Sequence, residues 1–328
     1  MLLSELSFEV LQRCPNNCIY CSSNSSIKVN SFVSFDVFRE VVDDAVSLGL
    51  KRLCLSGGEP FLHPDLIKMV GYAKRNNLEV FIYTSGIVVD NNGSYCSLSE
   101  DDLLELSKLG VNKLIFNMQA ADERTYNLVM GTRGFFDILK NSILRASSYG
   151  LFTEIHFVPM KINTHEIENV IRLANELKVR KISFLRFVLQ GRAHEHADML
   201  TMSKSETDSL KDVLVRIKSS KKIDIRIGIP LSESGGMARC DAGWGKIVIR
   251  YDGAVFPCEA FKCMDSINKD LLIKPDNVNE KRLSEIWKSS DFLNFLRNEI
   301  SDFHENHFDC ETCPAQWRIN NIIERTSS

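Results

Sequence analysis

The chain has 328 residues, of which 44% are hydrophobic and 25% charged, and its formal net charge is −3 at pH 7. This length and apolar content suit one large core with a small appended domain, and the charge gives no electrostatic footprint for nucleic acid. No apolar run approaches the roughly 20 residues of a membrane span and no export signal is visible, so the ten cysteines indicate a reducing cytoplasm and metal binding rather than disulfides.

Strand-like and helix-like segments alternate through the first two-thirds of the chain, which predicts an α/β fold with a parallel sheet or barrel. The predicted strands are Glu5–Leu11, Arg52–Ser56, Glu79–Thr84, Lys113–Met118, Thr153–Pro159 and Lys181–Val188. The predicted helices lie near Ser34–Leu48, Pro64–Asn76, Ser99–Leu109, Gly134–Tyr149 and Thr164–Leu177. In barrels of this kind ligands bind at the carboxyl ends of the strands, so we expect the functional site there.

The most informative motif follows the first predicted strand, where Cys14, Cys18 and Cys21 have the spacing C-x3-C-x2-C. Three thiolates leave one position open on an iron–sulfur cluster that needs four ligands, and an open iron can bind and activate a small molecule. With Tyr20 directly before the last cysteine, the motif resembles the signature of the radical S-adenosylmethionine (SAM) enzymes. The resemblance implies a partial (β/α)6 barrel, and residues 1–205 are assigned to it.

The same family has a glycine-rich turn after the second strand that holds the amino group of SAM. Here Gly57-Gly58-Glu59-Pro60 directly follows a predicted buried strand, and glycines allow backbone to approach a ligand closely. The combination of cysteine motif and turn, in this order, is far more specific than either alone. The resemblance implies that this turn contributes to the SAM site.

Residues at the ends of later strands are matched to the family pattern one by one. Ser85 stands where the family often has Asn, Asn117 is matched to a polar SAM contact, and Gln119 departs from the usual acid. Arg186 would end the sixth strand, where its planar fork suits the SAM carboxylate. His156 is a weaker candidate that could equally serve the fold.

A second group of cysteines lies in the last third: Cys240, Cys258, Cys310 and Cys313. Lys246–Tyr251 predicts a strand and Asp252-Gly253 a hairpin turn, which would bring the first two cysteines together. The pattern resembles the twitch form of the SPASM region, which holds one auxiliary [4Fe–4S] cluster, whereas four thiolates also suit structural zinc. Residues 206–328 are therefore assigned to a linker helix and a small cluster domain with a β-hairpin and helices, giving two [4Fe–4S] clusters in all.

The remaining cysteines have no place in this scheme. Cys54 lies in a predicted buried strand, where a thiol behaves as a small apolar group. Cys96 and Cys263 are either uninvolved thiols or hydrogen-atom donors to a substrate radical. The segment 190–205, which contains Arg192, His194, Glu195 and His196, is interpreted as a linker with surface or lid residues.

The resemblance implies an enzyme that cleaves SAM to a 5′-deoxyadenosyl radical and removes a hydrogen atom from its substrate. A peptide or protein substrate is favoured, a small metabolite such as an aminocyclitol or sugar oxidised by a dehydrogenase is the alternative, and a non-catalytic iron–sulfur redox sensor or scaffold is a third. A flavodoxin- or ferredoxin-type protein is the expected electron donor. Because the motif begins at Cys14, we expect no leader-binding domain ahead of it, so a peptide would need a separate carrier protein or direct docking.

Overall fold

A computed structural model describes residues 2–218, 223–228, 231, 240–263, 273–306, 313–318 and 321. Its centre is a nine-stranded sheet with the strand order β11-β10-β1-β2-β3-β6-β7-β8-β9. The strands are β1 Glu5–Leu11, β2 Arg52–Gly57, β3 Glu79–Thr84, β6 Lys113–Asn117, β7 Thr153–Phe157, β8 Lys181–Phe184, β9 Asp224–Ile227, β10 Lys246–Ile249 and β11 Val255–Phe256, with a separate hairpin of β4 Ile87–Val89 and β5 Tyr95–Ser97.

The helices lie between the strands, as the alternating pattern predicted. They are α1 Phe35–Ser47, α2 Leu66–Arg75, α3 Glu100–Leu109, α4 Glu123–Met130, α5 Phe136–Ser148, α6 Ile167–Glu176, α7 Ala197–Leu200, α8 Lys204–Lys218, α9 Leu283–Ser289 and α10 Asp291–Asn306, with short 3-10 turns at Pro60–Leu62, Thr164–Glu166, Gly191–His196 and Glu259–Phe261. Within the described part of the chain no helix is both long enough and apolar enough to cross a membrane.

Local sequence explains where the helices begin. Ser34 caps α1 by accepting a hydrogen bond from the backbone NH of Val37 at 3.3 Å. Ser99 caps α3 by accepting a hydrogen bond from the backbone NH of Asp102 at 3.1 Å, and it donates its own hydroxyl proton to the Asp102 carboxylate at 2.7 Å, so side-chain bonds fix the first turn of this helix.

Strand β1 has one apolar and one polar face. On β1, Leu6, Phe8 and Val10 are fully buried, and Phe8 stacks on Phe38 of α1 with ring centroids 5.8 Å apart. The alternate residues Ser7 and Glu9 point to the other face by the two-residue period of a strand. The polar side chains of β1 therefore lie on the face of the sheet opposite to α1.

The predicted α/β fold with a parallel sheet is confirmed, with three additions. The hairpin of β10 and β11 extends the main sheet, because β10 pairs in parallel with β1, Glu5 opposite Lys246. Helix α4 and strand β9 were not predicted. The segment expected to be a linker forms a 3-10 turn and α7, and the boundary at residue 205 stays a prediction.

Candidate active site

The loop that follows β1 carries the first cysteine motif in an enclosed position. Cys14 and Cys18 are buried, and Cys21 is half-buried. Burial raises the pKa of Cys14, and the nearby Cys18, Glu59 and Cys21 raise it further. The same two effects, burial and the neighbouring Cys21, raise the pKa of Cys18. The three thiols are therefore mutual neighbours, and residues 14–25 are called the cysteine loop below.

The Gly57-Gly58 turn packs directly on the chain that leads into this loop. The backbone NH of Gly58 donates to the carbonyl of Leu11 at 2.7 Å, and that of Glu59 to the carbonyl of Arg13 at 2.8 Å. A Cβ on Gly58 would lie 2.1 Å from the Arg13 oxygen. The second glycine is thus required by contact with the protein's own backbone, one residue before Cys14.

Glu59 is fully buried, and its hydrogen bonds hold this turn in place. Its carboxylate accepts hydrogen bonds from the Thr84 hydroxyl at 2.8 Å, from the backbone NH of Ser85 at 2.6 Å and from that of Phe61 at 3.2 Å. Burial raises the pKa of Glu59 to about 7, although the hydrogen bonds from Ser85 and Thr84 oppose the rise. Ser85, a predicted SAM contact, is thereby held by Glu59 at the end of β3.

The carboxyl end of α4 supports a second side of the cysteine loop. The backbone NH groups of Asn17 and Ile19 donate to the carbonyls of Met130 and Val129 at 3.1 and 3.0 Å. Gly131, which caps α4 in the left-handed conformation, leaves no space for a Cβ, because one would lie 2.2 Å from the Asn17 oxygen. A helix that was not predicted therefore fixes the middle of the motif.

Arg192, interpreted from the sequence as a surface or lid residue, supports a third side. Its guanidinium donates to the carbonyl oxygens of Cys18 at 2.7 Å and Ser25 at 2.8 Å, and its backbone NH donates to Cys21 at 3.0 Å. Its positive charge also lowers the pKa of Cys18, against the larger effect of burial. The sequence signal was a Gly-Arg pair shortly after a strand end, the region where ligands bind.

The arrangement fits the cluster that the sequence predicted better than a single metal ion. Tetrahedral zinc bound at about 2.3 Å requires thiolates about 4 Å apart. In the described ranges, however, no three cysteine sulfurs lie within 4.8 Å of one another. Two buried thiols and a half-buried one, which are not all close enough together for a single zinc ion, suit a cluster with an open iron.

The strand ends above the loop carry the remaining predicted contacts. Tyr20 donates its hydroxyl proton to the Asn117 side-chain oxygen at 2.7 Å, so the aromatic residue of the motif is tied to the end of β6. Gln119 contacts the same oxygen and accepts from the backbone NH of Val158 at 2.8 Å. Asn117 and Tyr20 thus form one polar unit beside the cysteine loop.

His156 and Glu154 lie on the same face of β7, because side chains two positions apart in a strand point the same way. The His156 ring lies 3.3 Å from the Glu154 carboxylate and meets Tyr83 edge-on, with centroids 5.3 Å apart. Burial raises the pKa of Glu154, but hydrogen bonds from His156, Lys113 and Ser183 outweigh it and lower the value to about 2. His156 therefore lies beside a carboxylate that stays ionised at neutral pH.

The second cysteine group also comes together among the residues that are described. Burial raises the pKa of Cys258; Lys246 lowers it, while Cys240 and Cys313 are close enough to raise it. Burial also raises the pKa of Cys240, and the nearby Cys313 raises it further whereas Arg186 lowers it. Arg186, predicted to bind SAM, therefore lies near this second group, and its buried Nε has no hydrogen-bond partner among the residues that the structure describes. Cys310 lies outside the described residues.

The other cysteines are dispersed. Cys54 is buried on β2, and Cys96 lies on β5 with its pKa raised by partial burial and by Asp90. Cys263 is buried, and its thiol lies 3.1 Å from the backbone oxygen of Ser22 in the cysteine loop. Cys263, which the sequence leaves as either an uninvolved thiol or a hydrogen-atom donor, thus lies beside the cysteine loop.

Comparison with known proteins adds a family match over both regions. The model of the radical SAM superfamily matches residues 8–174. The model of an iron–sulfur cluster-binding domain, SPASM, matches residues 240–314. The matched ranges contain every described cysteine assigned above to the two groups.

Relatives and solved structures show the same likeness at low identity. The chain is 24% identical over 294 residues to the PqqA peptide cyclase of Gluconobacter oxydans, covering 88% of this chain and 77% of that one. It is 26% identical to that of Ruegeria pomeroyi, covering 95% and 79%. Among solved structures, SuiB of Streptococcus suis bound to S-adenosylmethionine is similar with a TM-score of 0.72 at 16% identity, covering 91% of this chain and 68% of that one. The fold of anSMEcpe with bound AdoMet and a peptide matches with a TM-score of 0.69 at 16% identity, covering 95% and 88%.

Proposed function

This chain belongs to the radical SAM superfamily, and we propose that it modifies a peptide or protein substrate. The prediction of an iron–sulfur enzyme that uses SAM is confirmed by the matches over both cysteine regions, which also favour iron–sulfur over zinc in the second. Support for a peptide comes from the relatives named PqqA peptide cyclase and from the similar fold of SuiB, also solved with its precursor peptide SuiA. The enclosed cysteine loop at the carboxyl ends of the strands is the observation that supports the radical SAM chemistry, whereas the peptide substrate is proposed from the named relatives.

We assign Cys14, Cys18 and Cys21 as ligands of a [4Fe–4S] cluster. When bound there, the cluster and SAM supply a 5′-deoxyadenosyl radical, so the protein's part is to orient the reactants and exclude water. The Gly57-Gly58 turn keeps backbone next to the cysteine loop, where it would meet the amino end of SAM. Glu59 holds that turn and Ser85 in place through its buried hydrogen bonds.

A second [4Fe–4S] cluster is proposed at Cys240, Cys258 and Cys313, with Cys310 as the fourth ligand. Lys246 places a positive charge beside Cys258, which suits a centre of negative thiolates. Arg186 lies near Cys240. We propose that it lies between the two cluster sites, where its guanidinium would contact SAM or the residues that hold the auxiliary cluster. An auxiliary cluster in this position would accept or relay an electron.

The partners are proposed on chemical grounds. Reduction of the first cluster needs a one-electron donor, for which a flavodoxin- or ferredoxin-type protein is suitable. A separate carrier protein that binds a leader sequence would bring a peptide to the barrel. The ten cysteines of the chain suit a reducing compartment, and we place the enzyme in the cytoplasm.

The test of this function is anaerobic SAM cleavage with sorted substrates. Reconstituted protein, SAM and dithionite are mixed with host extract divided into peptide and metabolite fractions, and 5′-deoxyadenosine is measured above the background without extract. Stimulation by the peptide fraction is expected. Stimulation by the metabolite fraction alone would refute the peptide assignment and indicate a metabolite dehydrogenase.

A matched control separates the chemistry from the extract. The triple variant with Ala at Cys14, Cys18 and Cys21 should form no 5′-deoxyadenosine with either fraction, while it retains iron at the auxiliary site. Cleavage that persists in this variant would contradict the assignment of the three ligands.

A further inference from the structure

A buried ion pair connects the segment after Cys258 to the cysteine loop. Glu9 of β1 and Lys262 are 2% and 5% exposed, and the Lys262 ammonium group contacts the Glu9 carboxylate. Ser23, two residues after Cys21, completes the contact: its hydroxyl lies 2.7 Å from Lys262 Nζ and donates to Glu9 Oε1 at 2.7 Å. Three polar side chains from distant parts of the chain thus form one buried unit.

Such a pair is poorly explained by stability alone. Removing two charges from water costs several kcal/mol per ion, and apolar residues of similar volume are often at least as stable. Among the described residues the second oxygen of Glu9 has no hydrogen-bond partner, so the contacts that the structure describes do not fully compensate this site. A specific position for the ammonium group is the better explanation, as for other buried ionic groups that specify structure.

Further contacts place the same segment against the cysteine loop. Cys263, the next residue, lies 3.1 Å through its sulfur from the Ser22 oxygen. Arg250, at the end of β10, donates to the Lys262 carbonyl at 2.9 Å. The chain therefore runs from Cys258, in the second cysteine group, to the residues beside Cys21 within a few positions.

We propose that Lys262 is a positioning residue that joins the two cluster sites. By pairing with Glu9 and Ser23 it holds the segment after Cys258 against the cysteine loop, and its charge acts on the cluster that this loop binds. The inference rests on the proposed assignment of Cys14, Cys18 and Cys21 as ligands of that cluster.

The charge has a defined direction of effect. Burial lowers the pKa of Lys262, but Glu9 and the sulfurs of Cys263 and Cys21 raise it above its ordinary value, so Lys262 is positively charged. A reduced cluster is more negative than an oxidised one, and nearby charge is one of the factors that set its potential. Lys262 should therefore make the cluster easier to reduce, and Glu9 should moderate this effect.

The experiment measures the reduction potential of the first cluster in the holoenzyme, without substrate, by an EPR-monitored titration. The cluster is identified as the one whose signal changes when SAM is added. The variants are Lys262→Met, Glu9→Gln and the double variant, and the control is Lys281→Met, which removes a half-exposed lysine paired with Asp276. Iron per chain is measured for each protein.

We expect Lys262→Met to lower the potential, Glu9→Gln to raise it, and the double variant to lie close to the wild type. Dithionite-driven SAM cleavage by Lys262→Met, measured without added substrate, should fall by about 10- to 100-fold, the usual effect of removing a group that orients a metal ligand. Lys281→Met should leave potential and cleavage unchanged. If Lys262→Met does not fold, Glu9→Gln carries the test through the rise in potential that it should cause, and Lys262→Arg, which keeps the positive charge, should leave the potential unchanged.

Unchanged potentials in both single variants with full iron content would overturn the proposal, as would shifts in the same direction. Because no substrate is present, a failed search for a peptide leaves this result intact. A wild-type protein without any SAM-responsive signal would instead refute the cluster assignment, and with it the premise of this inference.

Discussion

Replacing Gly58 with Ala should displace the cysteine loop. The new Cβ would lie 2.1 Å from the Arg13 oxygen and 2.6 Å from the Gln12 oxygen, whereas real Cβ contacts essentially never fall below 3.0 Å. Both atoms belong to backbone and cannot rotate away, so the chain must move by roughly 1 Å directly before Cys14. Overpacking of this kind costs about 1–3 kcal/mol, and a 1 Å misplacement of a reacting group can cost about 100-fold in rate.

Gly71→Ala provides the matched control, because Gly71 lies within α2 and a Cβ there would meet nothing closer than 3.5 Å. It should stabilise the protein by about 0.5–1 kcal/mol, the helix preference of Ala over Gly. The assay combines thermal unfolding, iron per chain after reconstitution and the rate of SAM cleavage. If Gly58→Ala matches the wild type in iron content, melting temperature and rate, the turn is not the support of the cysteine loop that the contacts indicate.

Three further predictions concern separate parts of the molecule. Arg192→Gln should lower iron retention at the cysteine loop during dilution into chelator, because the carbonyls of Cys18 and Ser25 lose charged donors; retention equal to the wild type would contradict the role of Arg192. Glu154→Gln should destabilise the metal-free chain by about 3 kcal/mol at neutral pH, because the pKa of Glu154 in the folded protein is lowered to about 2. This contribution to stability is present above the unfolded pKa of about 4.5 and is lost as pH falls towards 2. The urea midpoints of the two proteins should therefore converge in acid, and midpoints that stay apart would refute the ion pairing. Replacing Cys240 and Cys258 together with Ala should remove about four iron atoms per chain while SAM still binds, and an unchanged iron count would exclude the auxiliary site.

The sequence carried the local features of the fold and the ligand-type residues well. Strand and helix periodicity located the core strands, and Ser34 and Ser99 marked helix starts through caps that need only neighbouring residues. The cysteine spacing and the Gly-Gly-Glu turn are likewise short-range patterns. Helix α4 had comparable signals, with Asp122 as its N-cap and Gly131 after its last residue, but its short length gave little periodicity to detect.

Long-range contacts could not be read in the same way. Lys262 and Glu9 are 253 positions apart, and no spacing rule connects them, because their meeting depends on how β10 joins the sheet beside β1. Arg192 resembled a surface residue for the same reason: its partners are backbone carbonyls, which leave no mark on the sequence. Arg186 is a further example. Whether it contacts SAM or lies beside the proposed auxiliary cluster depends on how strand ends that are distant in sequence are arranged.

The glycines around the cysteine loop show how these separate regions define one site. A Cβ on Gly58, Gly131 or Gly191 would lie 2.1, 2.2 or 2.5 Å from a backbone oxygen of Arg13, Asn17 or Cys21, respectively. Each glycine lies in the segment after a different element, β2, α4 or β8. Three segments that are distant in sequence therefore pack backbone to backbone against the same loop. Such contacts leave little freedom for the backbone of the cysteine loop, which argues that the protein fixes the loop before a cluster binds. The loop's geometry is therefore a property of the whole barrel, and substitutions far from the motif in sequence should alter cluster binding as strongly as those beside it.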